Sequence, residues 1–266
     1  MTKSRNHAVA LLLGASALQA QGSSRPLFTR NDVYWGAAFL LGSIALSTVD
    51  VQIARKSTDS SIHSTGLDKF ARNFSRVQEG TLTVGNLALW GIARLAKAPN
   101  MADITFHAAE SVVVGSIASQ IIRGPLGRSR PFITNYEDQY DFHPFRGFTN
   151  FNYRAFPSIH TSSSFAVATV YTLETRRRAP DATWVVGPVT YLLAAGPGLA
   201  RLYNGQHWAS DLLAGAFMGV LAGGKVVRYN HEVNPRNAVN RFFLGDNAVR
   251  LSYGADGVSI SYSMTF

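Results

Sequence analysis

Arg201, His207 and Asp211 lie within eleven residues of one another in the stretch Ala200-Arg201-Leu202-Tyr203-Asn204-Gly205-Gln206-His207-Trp208-Ala209-Ser210-Asp211. These types supply an anion-binding cation, a nucleophile and a carboxylate to orient it. If a helix starts near Trp208, His207 and Asp211 are one turn apart on one face. The carboxylate then accepts the proton of one ring nitrogen and leaves the other with a free lone pair, which makes the imidazole a directed nucleophile. Taken alone, Arg-x5-His-x3-Asp is a spacing that many chains carry by chance, and each of its members has a purely structural use.

Two upstream stretches add to it. Arg123 and Arg130 flank Gly124-Pro125-Leu126-Gly127-Arg128-Ser129 and are followed by Pro131, which places two guanidinium groups where each can bind an oxyanion bidentately. Pro157-Ser158-Ile159-His160 then sets a hydroxyl and a second histidine before an apolar run. For Arg128, Tyr203, Asn204, Gln206 and Trp208, structural and functional roles weigh equally. His63, His107, His143 and His231 have no partners at matching spacing and are read as structural or exposed.

In this order, the three stretches resemble the three-part signature of the type 2 phosphatidic acid phosphatase and haloperoxidase superfamily: Lys/Arg-x6-Arg-Pro, then Pro-Ser-Gly-His, then Ser-Arg-x5-His-x3-Asp. The resemblance runs from Arg123 to Asp211. It departs at Ile159, where the family has glycine and a β-branched residue tolerates positive φ poorly, and at Ala200, where the family has serine. It implies a metal-independent phosphatase with no cofactor, acting on phosphate monoesters or diphosphates that are lipid-linked or small and soluble. His207 would attack phosphorus, Asp211 would hold its tautomer, and His160 would protonate the leaving oxygen. Arg123, Arg130, Ser158, Ile159 through its N–H, and Arg201 would bind the phosphate. Rivals are a vanadate-dependent haloperoxidase, which uses the same constellation, and a non-catalytic lipid-phosphate binder, against which His160, His207 and Asp211 argue.

These residues need elements to bring them together. Apolar periodicity predicts helices over Val33–Val49, Gly80–Ala96, Ala102–Ile122, Ser158–Thr175 (with Ser158 as N-cap), Ala182–Ala200 (kinked or shortened by Pro188 and Pro197) and Trp208–Val227. Leu67–Phe74 adds an amphipathic piece, and residues 124–157 read as a long aromatic-rich loop. The motif residues fall at the end of the third helix, the start of the fourth, the end of the fifth and the start of the sixth. An up-and-down bundle gathers them at one end. The expected fold is therefore an all-α six-helix bundle with the active site at one end, plus a C-terminal β-hairpin within residues 248–266 turning at Gly254–Gly257. The expected organisation is a secretory signal over residues 1–20, a catalytic domain over 21–234 and a tail over 235–266.

The formal net charge is +9. Cleavage after residue 20 removes Lys3 and Arg5 and no acid, leaving +7. That balance suits anionic substrates or an anionic lipid surface, and no dense basic run with interleaved aromatics points to nucleic acid. There is no cysteine, which excludes disulfide and thiolate frameworks. The chain is 46% hydrophobic with a mean hydropathy of +0.02. Few segments are long and unbroken enough to span a bilayer, so the expectation is an exported enzyme of the bacterial periplasm or envelope, soluble or surface-associated. An integral inner-membrane protein with six spans is the alternative.

Overall fold

The computed structural model describes residues 25–245 and the strands Val249–Gly254 and Gly257–Tyr262; the segment read as a signal lies outside the described residues. The protein is all-α in class. Residues Phe28–Val227 form one compact unit, and the residues from Arg228 on group separately. The bundle contains α1 (Arg30–Ser47), α2 (Asp50–Ser57), α3 (Thr65–Phe74), α4 (Glu79–Leu95), α5 (Pro99–Leu126), α6 (Arg146–Thr149), α7 (Ile159–Arg178), α8 (Thr183–Tyr203) and α9 (Ala209–Arg228).

Local chemistry explains these boundaries. The Thr29 N–H donates to Asp32 Oδ2 (2.5 Å) at the start of α1, and Lys225 of α9 pairs with the same oxygen. Pro99 opens α5, where its missing N–H costs nothing. Gly127 closes α5 at φ +61°, and a Cβ there would lie 1.7 Å from the His143 carbonyl oxygen, so only glycine fits. α5 runs one turn further than the apolar pattern suggests, which puts Arg123 in its last turn. α8 also passes its expected end at Ala200 and carries Arg201 to Tyr203 despite Pro188 and Pro197 inside it.

The segment between α1 and α4, where the sequence marks one amphipathic piece, holds two α-helices. α2 follows α1 after a break and is bent from it by 65°. The Asp50 that opens α2 is buried. α3 is capped by Ser64, whose hydroxyl oxygen accepts from the Leu67 N–H (3.3 Å).

Small residues set the spacing of the bundle. Gly215, Gly219 and Gly223 form a stripe along α9. A Cβ on Gly219 would sit 2.2 Å from the Ser162 carbonyl oxygen of α7, and one on Gly215 2.4 Å from that of Ser158. α9 therefore lies directly on the α7 backbone, the close approach that small residues permit. α7 also packs on α5 and α8, and α4 on α5. In the other unit, α10 (Ala238–Phe243) follows a π turn over Tyr229–Val233, and β1 (Val249–Gly254) pairs antiparallel with β2 (Gly257–Tyr262), with Gly254 opposite Gly257.

Candidate active site

The end of α5, the 127–158 loop, the start of α7, the end of α8 and the start of α9 converge. Arg123, Arg130, Ser158, Ile159, His160, His207 and Asp211 are all buried there, and Arg201 is half-buried. The α7–α9 approach is what joins the second and third motifs, because the Ser158 N–H donates to the Asp211 carbonyl (3.0 Å).

His207 leaves the α8–α9 turn just after Gly205, which holds φ +63°. Its Nδ1 lies 3.3 Å from Asp211 Oδ2, the same oxygen that accepts the Trp208 N–H (2.8 Å). His207 Nε2 is buried with no hydrogen-bond partner, so the tautomer with hydrogen on Nδ1 leaves it a free lone pair. Complete burial, then the charges of Arg130, Arg123 and Arg201, hold the ring well below the usual imidazole range and keep it neutral. The His160 ring centre is 6.3 Å away. Its Nε2 accepts from Arg201 (2.7 Å), and burial followed by Arg201 pushes it down to about 2.

Three guanidinium groups surround the histidines, and each keeps a buried nitrogen without a partner: Arg123 Nε, Arg130 Nη2 and Arg201 Nε. Their remaining donors fix them in place. Arg123 donates to the Arg154 carbonyl (2.6 Å), and Arg201 to the Ser75 carbonyl (3.2 Å). Arg130 donates to the carbonyls of Phe151 (3.1 Å) and Gln206 (3.0 Å), with its guanidinium 3.9 Å from the Phe151 ring centre. Burial, then Arg123, lowers Arg130 to about 9. Like charges crowded beside unmet buried donors form a pocket with the chemistry to bind a multivalent anion.

Ser158 caps α7, with its oxygen accepting from Thr161 Oγ1 (3.0 Å) and the Thr161 N–H (3.4 Å). Ile159 is the first residue of α7, its side chain is buried, and it is not among the residues with positive φ. The departure from glycine therefore imposes no backbone strain. Ala200 is fully buried.

The sequence of the PAP2 superfamily matches residues 105–235. A 71-residue stretch, 26% of this chain, is 44% identical to the lipid A 1-phosphatase of Porphyromonas gingivalis. The fold matches the crystal structure of a transmembrane PAP2-type phosphatidylglycerolphosphate phosphatase from Bacillus subtilis, with a TM-score of 0.55 over 79% of this chain and 100% of that one, at 16% identity. The chain belongs to the type 2 phosphatidic acid phosphatase superfamily. The stretch shared with the P. gingivalis protein spans 15% of that relative's length.

Two residues at this family site carry no signal in the motif pattern. Arg128, inside the first motif, donates to Asp211 Oδ1 (2.6 Å) and to Asp50 Oδ2 (2.9 Å). Asp50 comes from α2, far upstream of the matched residues. An acid ending an apolar run does not announce a partner 78 residues away.

Proposed function

We propose that the chain is a phosphoric ester hydrolase that releases phosphate from a lipid-linked monoester or diphosphate through a phosphohistidine on His207. The observation that carries this reading is the unpartnered Nε2 of His207 amid three arginines with unmet donors. A binding protein needs the cations, whereas a buried, neutral, carboxylate-oriented imidazole is equipment for attack. His207 Nε2 forms the P–N bond as the P–O bond to the leaving group breaks, and the arginines hold the non-bridging oxygens as charge shifts. His160 donates a proton to the leaving oxygen, then takes one from the water that cleaves the P–N bond. His160 is neutral before substrate arrives. A phosphate entering between it and the arginines offsets their charge, and the monoanion brings the needed proton with it. Positive charge from Arg123, Arg130 and Arg201 supports turnover without a metal ion.

Two features favour a lipid substrate. An open groove of about 330 Å³, lined almost wholly by apolar atoms, lies between α3, α4, α7 and α8. It contains Ser164, one turn beyond His160, and Phe74, the neighbour of the Ser75 that holds Arg201. An acyl chain in that groove would lie beside the turn of α7 that follows His160. The outer surface is also apolar: on α8, Val185, Val189, Leu192, Leu193 and Leu199 are exposed along one face. The helical runs Pro180–Tyr203, which includes α8, and Ala209–Val233 are each long and apolar enough to cross a membrane. This supports membrane association and favours embedding over the soluble form expected from sequence. The lipid A 1-phosphatase likeness makes a glycolipid phosphate a natural first test. Phosphate release should be measured over lipid A, phosphatidate-type, polyprenyl diphosphate and small soluble substrates, using wild type and His207→Ala. Release from the lipid substrates that vanishes in the variant is expected; equal release by both proteins would overturn the reading.

A further inference from the structure

The structure assigns to Arg128 and Asp50 the role of positioning residues that set the charge behind the nucleophile, an inference that rests on the phosphatase reading above. Arg128 lies among the arginines, yet its bonding is of another kind. Its five N–H groups match five contacts: Nε to the Gln139 carbonyl (2.9 Å), Nη1 to Ser210 Oγ (2.8 Å) and Asp211 Oδ1 (2.6 Å), and Nη2 to Asp50 Oδ2 (2.9 Å) and the Gln139 carbonyl (2.8 Å). No donor is left for substrate, in contrast to Arg123, Arg130 and Arg201. Its guanidinium also lies near the Trp208 and Phe142 rings, at 5.6 and 5.8 Å.

Asp50 completes the arrangement. It is fully buried, and it accepts from the Ser210 N–H (2.9 Å) and the Ser210 hydroxyl as well as from Arg128. It therefore grips the first turn of α9 beside Asp211 and neutralises the cation that Asp211 also contacts. Arg128 with Asp211 alone would be a closed pair with no net charge to offer His207. With Asp50 added, two carboxylates share one guanidinium, and with both ionised the buried cluster carries one net negative charge; burial pushes the Asp50 carboxyl up, while its hydrogen bonds from Ser210 and Arg128 favour the ionised form. That charge opposes the field of Arg123 at the end of α5, Arg130 in the loop and Arg201 at the end of α8, and neutral His160 also faces His207. It is needed when the attacking imidazole becomes positive on forming the P–N bond.

Charge compensation tests this against simple scaffolding. Asp50→Asn takes the cluster from one net negative charge to zero and is expected to lower kcat about 10- to 100-fold, the size of one unit charge nearby at an effective protein dielectric. KM is expected to change little, because no substrate donor is touched. It should also move the acid limb of kcat/KM to lower pH, whereas Arg128→Gln, which leaves two net negative charges, should move it to higher pH. The double variant restores one net negative charge and is expected to exceed the kcat of Asp50→Asn alone. Arg128→Lys keeps the charge and should retain more activity than Arg128→Gln, which gives a readout even if Asp50→Asn folds poorly. Losses that add in the double variant, or limbs that move the same way, would overturn the assignment. Wild-type turnover is measured first: none would sink the phosphatase reading, whereas turnover indifferent to these changes overturns only the clamp.

Discussion

His207 and His160 are both buried and both neutral, but their partners differ. His207 has a carboxylate behind it and an open nitrogen in front; His160 meets a cation. His207→Ala is expected to abolish turnover. His160→Ala should slow alkyl phosphates strongly while sparing activated aryl phosphates, whose leaving group needs no proton; equal loss on both classes would remove the acid role. The pH dependence follows from the same geometry. Because His207 is held well below the usual range, activity should show no acid limb near an ordinary imidazole pKa of about 6.5. Because His160 is neutral in the free protein, the reactive pair includes the phosphate monoanion, so kcat/KM should fall as pH rises through about 6, where a phosphate ester loses its second proton. Stability runs the other way. Below about pH 6.5 the unfolded chain takes up protons that these two depressed histidines refuse, so stability falls as pH drops, and vanadate or phosphate should offset the loss in a thermal melt. Ile159→Gly tests the motif departure. A buried side chain without backbone strain predicts a lower melting temperature and no gain in kcat.

The elements act by distance. Gly219 lets α9 rest on the α7 backbone, so Gly219→Ala is expected to cost about 1–3 kcal/mol as the helices part. For a unit of this size that is a fall of about 2–4 °C per kcal/mol. Activity should drop with it, since His160 is on α7 and Asp211 on α9, and an unchanged melt would show that the helices have room. Much of this was legible in the sequence. Ser158 before an apolar run marked a helix start, and the motif spacing placed each reactive group at an element end. The long loop was legible only as a loop. Its details depend on tertiary acceptors, such as the carbonyls of Phe151 and Arg154 that hold Arg130 and Arg123. α2 was missed because its eight residues are mostly polar, and they are helical where Ala54 packs with Ala155 and Trp208. Asp50 went unnoticed with it.

For the molecule as a whole, the sequence average conceals a contrast. A mean hydropathy of +0.02 blends an apolar exterior with a polar pocket and polar connections. Trp184 is 86% exposed and Leu192 77%, which is a costly surface in water and an ordinary one in lipid. The exposed Phe145, Phe148 and Phe151 belong to the loop at the catalytic end, where aromatic rings suit a headgroup boundary. Membrane fractions are therefore expected to retain the protein through a carbonate wash; release into the wash would return the account to surface association. The central claim concerns one bond, between phosphorus and His207 Nε2. It is tested most directly by quenching the enzyme in base during turnover of a labelled lipid phosphate, with chelator present, and locating the label by peptide mass spectrometry. Label is expected on the peptide bearing His207, with none in His207→Ala. Turnover with no label on His207, or label that survives unchanged in His207→Ala, would contradict it.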